Sequence, residues 1–328
     1  MTLPLASVII PVYNREHLIR PTLESVAAQM YKHLEVIIID DGSTDASGAV
    51  AKQLLQTLHL PGEVYSIKNS GPDAARDYGI QQAHGDLFVP LDSDDLWLPE
   101  YLQTVVQVIT EWTETALVFC DFYLLFDDER PPIKKSATLQ HLHALPRQKL
   151  KDNVDRIDQV GFLYLLQEQP IFPSAVAIRR ELYDHIGPFC KHISGRLLSA
   201  EWEFFLRSAH QKFPLIYIQT PLVKIRKHSG NLSKELVQQT AGEITVLKIV
   251  QKTYRLSQEE QQLVHDQIAY RSLVCGYQYF SGYQMSEARA LLKNALISRY
   301  GRRAAYYLAL SLLPVPLLRW LRRCKSST

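Results

Sequence analysis

Residues 34–45 read LEVIIIDDGSTD, and this stretch decides the class of fold. Residues 34–39 form a largely apolar, β-branched run, which is typical of a strand that is buried on both faces of a sheet. The run stops at two aspartates, and Gly42 and Ser43 then provide turn chemistry. We therefore predict a buried strand that ends at a polar turn, followed by a helix from about Ala46.

The same alternation of strand and helix extends on both sides of this stretch. Further strands are predicted over residues 7–12, 63–68 and 87–91, with helices between them. Asn14 is predicted to cap a helix that begins near Glu16. Helices that alternate with strands indicate βαβ units, and hence an α/β fold with a mostly parallel central sheet flanked by helices. Such sheets bind ligands outside the carboxyl ends of their strands.

Size and composition limit the classes of protein that this chain can be. With 328 residues, 46% of them hydrophobic, it can form a large α/β domain and a helical appendage, or two modest domains. We predict the domain over 1–233 and a helical C-terminal extension over 234–328, with a polar excursion at 127–158. The net charge of +2 gives no strong field for nucleic acid, which we exclude as a partner. Four cysteines that are far apart in sequence fit a reducing, cytoplasmic setting.

The C-terminal end of the chain is basic. No acidic residue follows Glu287, whereas nine arginines and lysines do. Such a tail suits an anionic membrane surface, and a solvated helical face is the alternative. The apolar run at 304–318 is interrupted by Pro314 and Pro316, and it is shorter than the roughly 20 residues that span a bilayer. Because no signal peptide precedes the first strand, we predict a cytoplasmic protein that contacts the inner face of the cytoplasmic membrane through its basic C-terminal helix.

An acidic cluster follows the strand predicted at 87–91. Asp92-Ser93-Asp94-Asp95 places three carboxylates within four residues. These charges repel one another, and a cleft that contains them usually needs a cation. Mg²⁺ and Mn²⁺ prefer oxygen ligands and share their coordination with substrate phosphates. The alternative is the N-terminus of the next helix, where acidic residues interact favourably with the helix dipole.

Four further segments contain groups suited to binding or proton transfer. Residues 40–45 provide carboxylates that can accept a hydrogen bond from a base or a ribose. Residues 69–76 place an arginine at a helix N-terminus, which suits a phosphate or a base edge. Residues 201–207 place carboxylates beside an aromatic ring, where one can act as a base. Residues 226–233 form a basic loop in which His228 can be a metal ligand or a phosphate donor. Each segment alone is also compatible with a structural role.

Taken together and in this order, these segments resemble the family 2 glycosyltransferases of GT-A fold. The resemblance covers about residues 5–233. The matching segments are 8–15, 36–45, 69–71 with 75–76, 85–86 with 91–95, and 202–207. The resemblance implies an inverting enzyme that uses Mn²⁺ or Mg²⁺ and transfers a sugar from a nucleotide-diphosphate sugar. It further implies a UDP-sugar as donor and a carbohydrate or lipid-linked acceptor, as in polysaccharide, glycoconjugate or cell-envelope synthesis.

The resemblance also implies roles for individual residues. Its implied donor-binding residues are Pro11, Tyr13, Asn14, Asp40, Asp41, Arg76, Asp92, Ser93, Arg226 and His228. Of the two adjacent aspartates, either Asp40 or Asp41 would hold the base. Asp92 would bind the ribose, and Asp94 would hold the metal together with His228.

Two positions depart from the family pattern. The Glu-Asp pair that usually precedes the tryptophan is replaced by Ala200-Glu201, and the Asn that usually follows the arginine is replaced by Asp77. Glu201 is therefore the predicted general base, with Glu203 as the alternative. The longer side chain of Glu201 matters because catalysis is sensitive to displacements of about 1 Å.

Two other functions stay open at this point. A catalytically impaired nucleotide-sugar-binding protein would keep the donor-binding residues and lack an effective base. A nucleotidyltransferase on a similar sheet would share the acidic strand ends. It would also be expected to have a glycine-rich phosphate loop after the first strand, and residues 7–15 do not provide one.

Overall fold

The computed structural model describes residues 3–127, 130–142, 145–157, 161–193, 197–227 and 236–319. The chain divides into two compact units, Met1–Asn231 and Leu232–Thr328. The first unit is an α/β structure, and the described part of the second unit is helical.

The first unit is built on one sheet of eleven described strands. The strands are β1 (Ala6–Val12), β2 (Leu34–Asp40), β3 (Gly62–Ser66), β4 (Leu87–Pro90), β5 (Leu96–Trp97), β6 (Leu117–Phe126), β7 (Ile133–Lys134), β8 (Gln148–Lys151), β9 (Val154–Ile157), β10 (Val176–Arg179) and β11 (Leu215–Lys227). Their order is β3-β2-β1-β4-β10-β6-β11-β9-β8, with β5 paired to β11 and β7 paired to β6.

Helices connect the strands and form the second unit. Those of the first unit are α1 (Ile19–Ala27), α2 (Ser47–Thr57), α3 (Pro72–Gln82), α4 (Tyr101–Glu111), α5 (Gly161–Gln167), α6 (Arg180–Ile186) and α7 (Glu201–His210). Those of the second unit are α8 (Leu236–Thr253), α9 (Gln258–Ser281), α10 (Met285–Asn294) and α11 (Gly301–Leu310). The predicted alternation of strands and helices is confirmed from β1 to α4.

The parallel part of the sheet positions the acidic clusters. Strand β1 lies between β2 and β4 and is parallel to both, and β3 is parallel to β2. All seven residues of β1 are buried, which explains its unbroken apolar character. Because these strands are parallel, the segments that follow β1, β2 and β4 meet at one edge, the place where such sheets bind ligands.

Beyond β4 the sheet is mixed. Strand β10 is antiparallel to β4 and β6, whereas β11 is parallel to β6 and antiparallel to β9. The parallel sheet predicted from the sequence is therefore confirmed for its first four strands, and the complete sheet combines both directions. The polar excursion predicted at 127–158 also contains the hairpin β8–β9, which extends the sheet beside β11.

Close packing of α3 against β1 brings that helix near the edge where the clusters meet. A Cβ atom on Gly79 would lie 2.6 Å from Cγ2 of Ile9, so a larger residue at position 79 would push the helix away. Arg76 lies one turn earlier on the same helix and is buried.

The second unit has its own small apolar core, which includes Leu273, Phe280 and Leu292. A capping box formed by Ser257 and Glu260 begins α9. The predicted helical character of this part of the chain is confirmed over 236–319. Within that range, and in the rest of the described chain, no helix has the length and apolarity needed to cross a membrane.

Candidate active site

Asn14 connects the end of β1 to the loop after β2. Its backbone is in the left-handed region with φ of 53°, a conformation that asparagine tolerates well. Its amide N–H donates to Oγ of Ser43 at 3.0 Å, and its side-chain Oδ1 accepts from the N–H of Thr44 at 2.8 Å. The prediction that Asn14 caps a helix is therefore wrong, because α1 begins only at Ile19 and the side chain is used between loops.

The carboxylates of Asp40 and Asp41 accept hydrogen bonds from different loops at this edge of the sheet. The buried carboxylate of Asp41 accepts from the N–H groups of Ser70 at 2.7 Å and Gly71 at 2.9 Å, which fixes the loop that leads into α3. Asp40 is partly exposed and accepts from the N–H of Ser43 at 2.9 Å. A carboxylate has about four acceptor positions, so these contacts are compatible with a further hydrogen bond from a base.

Pro11 and Tyr13 complete the end of β1. Pro11 is buried within the strand, whereas the Tyr13 side chain just beyond it is 38% exposed. An exposed ring at this edge of the sheet is suited to stack on a nucleotide base.

The acidic cluster at 92–95 is held in place by two distant elements. Oγ of Ser174 donates to Asp95 at 2.6 Å and accepts from the N–H of Asp92 at 3.0 Å. The N–H of Arg226 donates to the other carboxylate oxygen of Asp95 at 3.0 Å. Burial, followed by the charges of Asp94 and Asp92, raises the pKa of the Asp95 carboxyl. Asp95 therefore holds the acidic cluster in place through its hydrogen bonds with Ser174 and Arg226.

Asp94 contacts two arginines. Its carboxylate is 3.5 Å from Nε of Arg15. The guanidinium of Arg226 donates to the backbone carbonyl of Asp94 and, at 3.0 Å, to that of Leu18. Burial lowers the pKa of Arg226, while the nearby charges of Asp94 and Asp95 oppose that effect. Arg15 was not among the predicted site residues, and the sequence offers no local signal for its contact with Asp94.

Arg226 was predicted in the basic loop at 226–233, and the structure places it in strand β11. Residues 228–233 of that predicted loop, His228 included, lie outside the described residues. Buried Ser93 lies inside the acidic cluster, and its carbonyl accepts from Oγ1 of Thr22 at 3.0 Å. Ser93 and Arg226 therefore form hydrogen bonds in or next to the acidic cluster, and their part in donor binding stays a prediction.

The donor chemistry at Asp94 fits Mg²⁺ or Mn²⁺ held by one protein carboxylate and by phosphate oxygens and water. The carboxylates of its neighbours Asp92 and Asp95 already accept hydrogen bonds from cationic or polar groups. Over the ranges that the structure describes, no group of three or more His, Cys, Asp and Glu side chains could hold a metal ion. The arrangement thus suits a shared ion and does not suit an all-protein cage.

Arg76 links the acidic cluster to helix α3. Its side chain is 3% exposed and donates to the carboxylates of Asp73 and Asp92. Burial lowers the pKa of Arg76, but the charges of Asp92, Asp73 and Glu201 outweigh this and raise it. The resemblance implied that Arg76 approaches the base or the diphosphate. The structure shows that it also holds Asp92, the residue expected to bind the ribose, and its own contact with the donor stays a prediction.

Glu201 is the first residue of α7 and is partly exposed. Burial is the largest cause that raises the pKa of its carboxyl to about 8, the charge of Asp73 raises it further, and Arg76 opposes both. Glu201 forms no ion pair with any residue in the described ranges. A carboxylate with a pKa near neutrality and no salt-bridge partner is suited to general base catalysis.

Glu203, the alternative base, has a different environment. Its side chain is fully buried, 2.8 Å from Nδ1 of His192 and 3.4 Å from Nη2 of Arg207. Such a carboxylate is enclosed by the protein, so an acceptor could reach it only after rearrangement.

Asp77, the second departure from the family pattern, has a structural explanation. Its carboxylate accepts from the hydroxyl of Tyr183 at 2.8 Å and from the N–H groups of Phe189 at 2.8 Å and Cys190 at 2.9 Å. An asparagine has only one acceptor oxygen, whereas a carboxylate has two and can satisfy all three donors. Asp77 therefore joins α3 to the segment after α6.

Comparison with known proteins shows the family. The sequence model of glycosyl transferase family 2 matches residues 7–187, more than half of the chain. This chain belongs to glycosyltransferase family 2. It is 37% identical over 168 residues to glycosyltransferase GlyA of Streptococcus pneumoniae, a match that covers 51% of this chain and 22% of GlyA. The chain spans less than two thirds of the length of the first curated relatives that it matches.

Solved structures confirm the GT-A fold. Residues 1–349 of S. aureus TarS, in complex with UDP-GlcNAc, align with a TM-score of 0.63 and 17% identity, covering 93% of this chain and 87% of that one. The mannosyltransferase PcManGT from Pyrobaculum calidifontis, in complex with GDP-Man and Mn²⁺, aligns with a TM-score of 0.59 and 20% identity, covering 97% and 83%. At these identities the likeness concerns the fold.

Proposed function

We propose that this protein is an inverting glycosyltransferase that transfers a sugar from a UDP-sugar to an acceptor hydroxyl in polysaccharide or glycoconjugate synthesis. One observation carries the proposal: the Arg76 guanidinium donates to Asp92 of the acidic cluster, and the charge of Glu201 is among those that raise the pKa of Arg76. This link between a donor-binding group and a potential base supports a single site for both, as transfer between two substrates requires.

The donor end of the site is formed by the segments after β1, β2 and β4. We propose that Tyr13 stacks on the base while Asp40 or Asp41 accepts its hydrogen bond. Asp92, held by Arg76, would accept from the ribose hydroxyls. Exposure of the Tyr13 ring and the acceptor capacity of these carboxylates support this assignment.

Asp94 is the residue that we propose holds the cation, with His228 as a second ligand. Mg²⁺ or Mn²⁺ bound there would neutralise charge on the diphosphate leaving group. Arg15 and Arg226 both contact Asp94, and they add positive charge to this end of the site. The Mn²⁺ complex of PcManGT supports the choice of metal.

Glu201 is the proposed general base. Its carboxylate would accept the proton of the acceptor hydroxyl while the oxygen attacks the anomeric carbon. The bond from that carbon to the diphosphate oxygen breaks as the new bond forms on the opposite face. A single displacement of this kind inverts the anomeric configuration.

A donor screen tests this function. The protein is incubated with Mn²⁺ or Mg²⁺, candidate acceptors and a panel of UDP-, GDP- and dTDP-sugars, and the release of nucleoside diphosphate is followed. We expect metal-dependent release of UDP from one donor, and NMR of the product should show an inverted anomeric centre. Release from GDP-sugars alone would contradict the donor assignment, and a retained centre would contradict the mechanism. UDP binding without turnover for every donor would support the catalytically impaired alternative.

We also propose that the second unit holds the enzyme at the inner face of the cytoplasmic membrane, close to a lipid-linked or carbohydrate acceptor. On α11, Arg302, Tyr306 and Ala309 are exposed at the spacing of one helix face. Ile297 and Leu312 are 89% and 71% exposed. Exposed apolar side chains beside arginines, in a region without acidic residues, suit an anionic lipid surface.

Vesicle flotation tests the membrane contact. We expect the full chain to float with vesicles that contain phosphatidylglycerol and not with pure phosphatidylcholine, and salt should weaken the binding. The double substitution Ile297→Glu and Leu312→Glu should abolish flotation. Met30→Glu is the matched control, because Met30 is 59% exposed but belongs to the first unit. Equal flotation of the double variant and the control would contradict this proposal.

A further inference from the structure

Arg15 follows the end of β1, and several hydrogen bonds fix its position. Its backbone N–H donates to Oγ of Ser47 at 2.6 Å, and its carbonyl accepts from two N–H groups at the start of α1. Its guanidinium donates to the carbonyls of Tyr13 at 3.4 Å and Asn14 at 3.1 Å. The side chain is only 18% exposed. These contacts hold the charge of Arg15 beside two residues that the family resemblance assigns to donor binding.

The same guanidinium faces the carboxylate that we propose holds the cation. Nε of Arg15 lies 3.5 Å from Oδ2 of Asp94, whose side chain is 12% exposed. Because both side chains are largely buried, solvent and salt screen the interaction of their charges only partly. Arg15 therefore connects the nucleotide end of the site, at Tyr13 and Asn14, to the cation end at Asp94.

A positive charge at this position has opposite effects before and after a nucleotide binds. A divalent cation at Asp94 and the guanidinium of Arg15 repel each other when no negative charge lies beside them. A diphosphate reverses this effect, because its oxygens attract the cation and the guanidinium together. Arginine suits such a place, since its planar guanidinium stays charged and can donate several hydrogen bonds to phosphate oxygens.

We propose that Arg15 binds the diphosphate of the donor and thereby makes cation binding at Asp94 depend on the donor. This inference rests on the proposed role of Asp94 and adds to it a residue from the loop after β1. Without a nucleotide, Arg15 opposes the cation, and with the diphosphate in place it stabilises the complex of both. Such coupling is reciprocal, so the cation strengthens donor binding by the same factor.

Binding of UDP and of uridine, which has no phosphate, tests the contact with the diphosphate. In the presence of Mn²⁺ we expect Arg15→Ala to weaken UDP binding by about tenfold or more, as for the loss of a hydrogen bond to a charged group. Calorimetry measures this effect. Uridine binding, followed by ligand-observed NMR, should stay unchanged. Arg15→Lys keeps the charge and should lose less UDP affinity, and Arg15→Gln replaces the alanine variant if that variant unfolds.

Arg20→Ala is the matched control for these titrations. Arg20 lies on α1, only five positions after Arg15, and its side chain is 59% exposed. Its replacement removes the same charge and should leave the affinity for both ligands at the wild-type level. Equal UDP affinity in Arg15→Ala and the wild type would overturn the inference. An equal loss of UDP and uridine affinity would also overturn it, because the effect would then not concern the diphosphate.

A titration with Mn²⁺, followed by the EPR signal of the free ion, tests the coupling without turnover. With protein in excess over UDP, the nucleotide should strengthen Mn²⁺ binding to the wild type by about fivefold or more. In Arg15→Ala we expect tighter binding of Mn²⁺ alone and a smaller effect of UDP. An unchanged effect of UDP in this variant would overturn the coupling assigned to Arg15. A wild type that does not bind UDP would instead overturn the proposed donor, so the two failures are distinguishable.

Discussion

Replacing Asp94 with alanine is expected to lower turnover by about a hundredfold or more, because preorganised charge at a developing transition state is commonly worth that much. Asp94 is the carboxylate proposed to hold the cation beside the diphosphate, and no neighbouring carboxylate can replace it. Asp92 is held by Arg76, and Asp95 is held by Ser174 and Arg226. Nucleoside diphosphate release at saturating donor measures the effect, and the variant should also need a higher Mn²⁺ concentration for half-maximal rate.

Glu100→Ala is the matched control for this prediction. Glu100 is exposed and lies shortly after the acidic cluster, so its replacement removes the same charge without disturbing the site. Thermal unfolding should show that Asp94→Ala remains folded despite losing its contact with Arg15. Undiminished turnover in Asp94→Ala would contradict the role assigned to this carboxylate.

The part of the site that the sequence predicted follows from local patterns and one topological rule. Apolar runs at 34–39 and 87–91 each end in aspartates, and parallel strands bring such ends to one edge. The structure confirms this arrangement, because β2 and β4 flank β1. This prediction did not need the order of the strands. The carboxyl ends of neighbouring parallel strands lie at the same edge of the sheet whichever strand is central.

The contacts that organise the site were not predictable, because they join residues far apart in sequence. Ser174 and Asp95 are separated by 79 positions, and no local pattern marks Ser174 as the hydroxyl that orders the acidic cluster. Asp73 likewise appears in the sequence as an ordinary acid at a helix N-terminus. Only the folded chain shows that its carboxylate and that of Asp92 bind the same guanidinium.

The hairpin β8–β9 was missed for a different physical reason. Its strands are four residues each, and β8 is a polar segment with exposed residues at the end of the sheet. A strand with one neighbour buries little apolar surface, and charged side chains there discourage pairing with other molecules. Such strands show no regular alternation of apolar and polar residues in the sequence. The segment at 127–158 therefore resembled a loop.

Replacing Glu201 with glutamine is expected to lower turnover by about 10²–10⁴-fold, the usual contribution of a general base. Glutamine keeps the size of the side chain and loses only the ionisable group, so donor binding should stay unchanged. UDP binding measured by calorimetry provides that comparison. Glu201→Asp shortens the arm by one methylene and restores the family's residue, so it should retain far more activity than Glu201→Gln. Turnover of Glu201→Gln at the wild-type level would contradict the base assignment.

The stability of Glu201→Gln distinguishes a lost base from a damaged fold. The folded-state pKa of Glu201 is about 8, above the ordinary value of 4.5, so folding favours the neutral carboxyl. The stability linked to this group is fully present below the ordinary pKa and is lost as pH rises through about 8. At pH 9, Glu201→Gln should therefore be more stable than the wild type by about 1–2 kcal/mol, since solvent at this partly exposed carboxylate moderates the cost of its charge. Near pH 4 the two free energies of unfolding should coincide. Glu201→Gln would then be inactive and yet have a higher free energy of unfolding than the wild type at high pH. That result would show that burial of Glu201 lowers the stability of the protein and serves catalysis, as expected for a functional carboxylate.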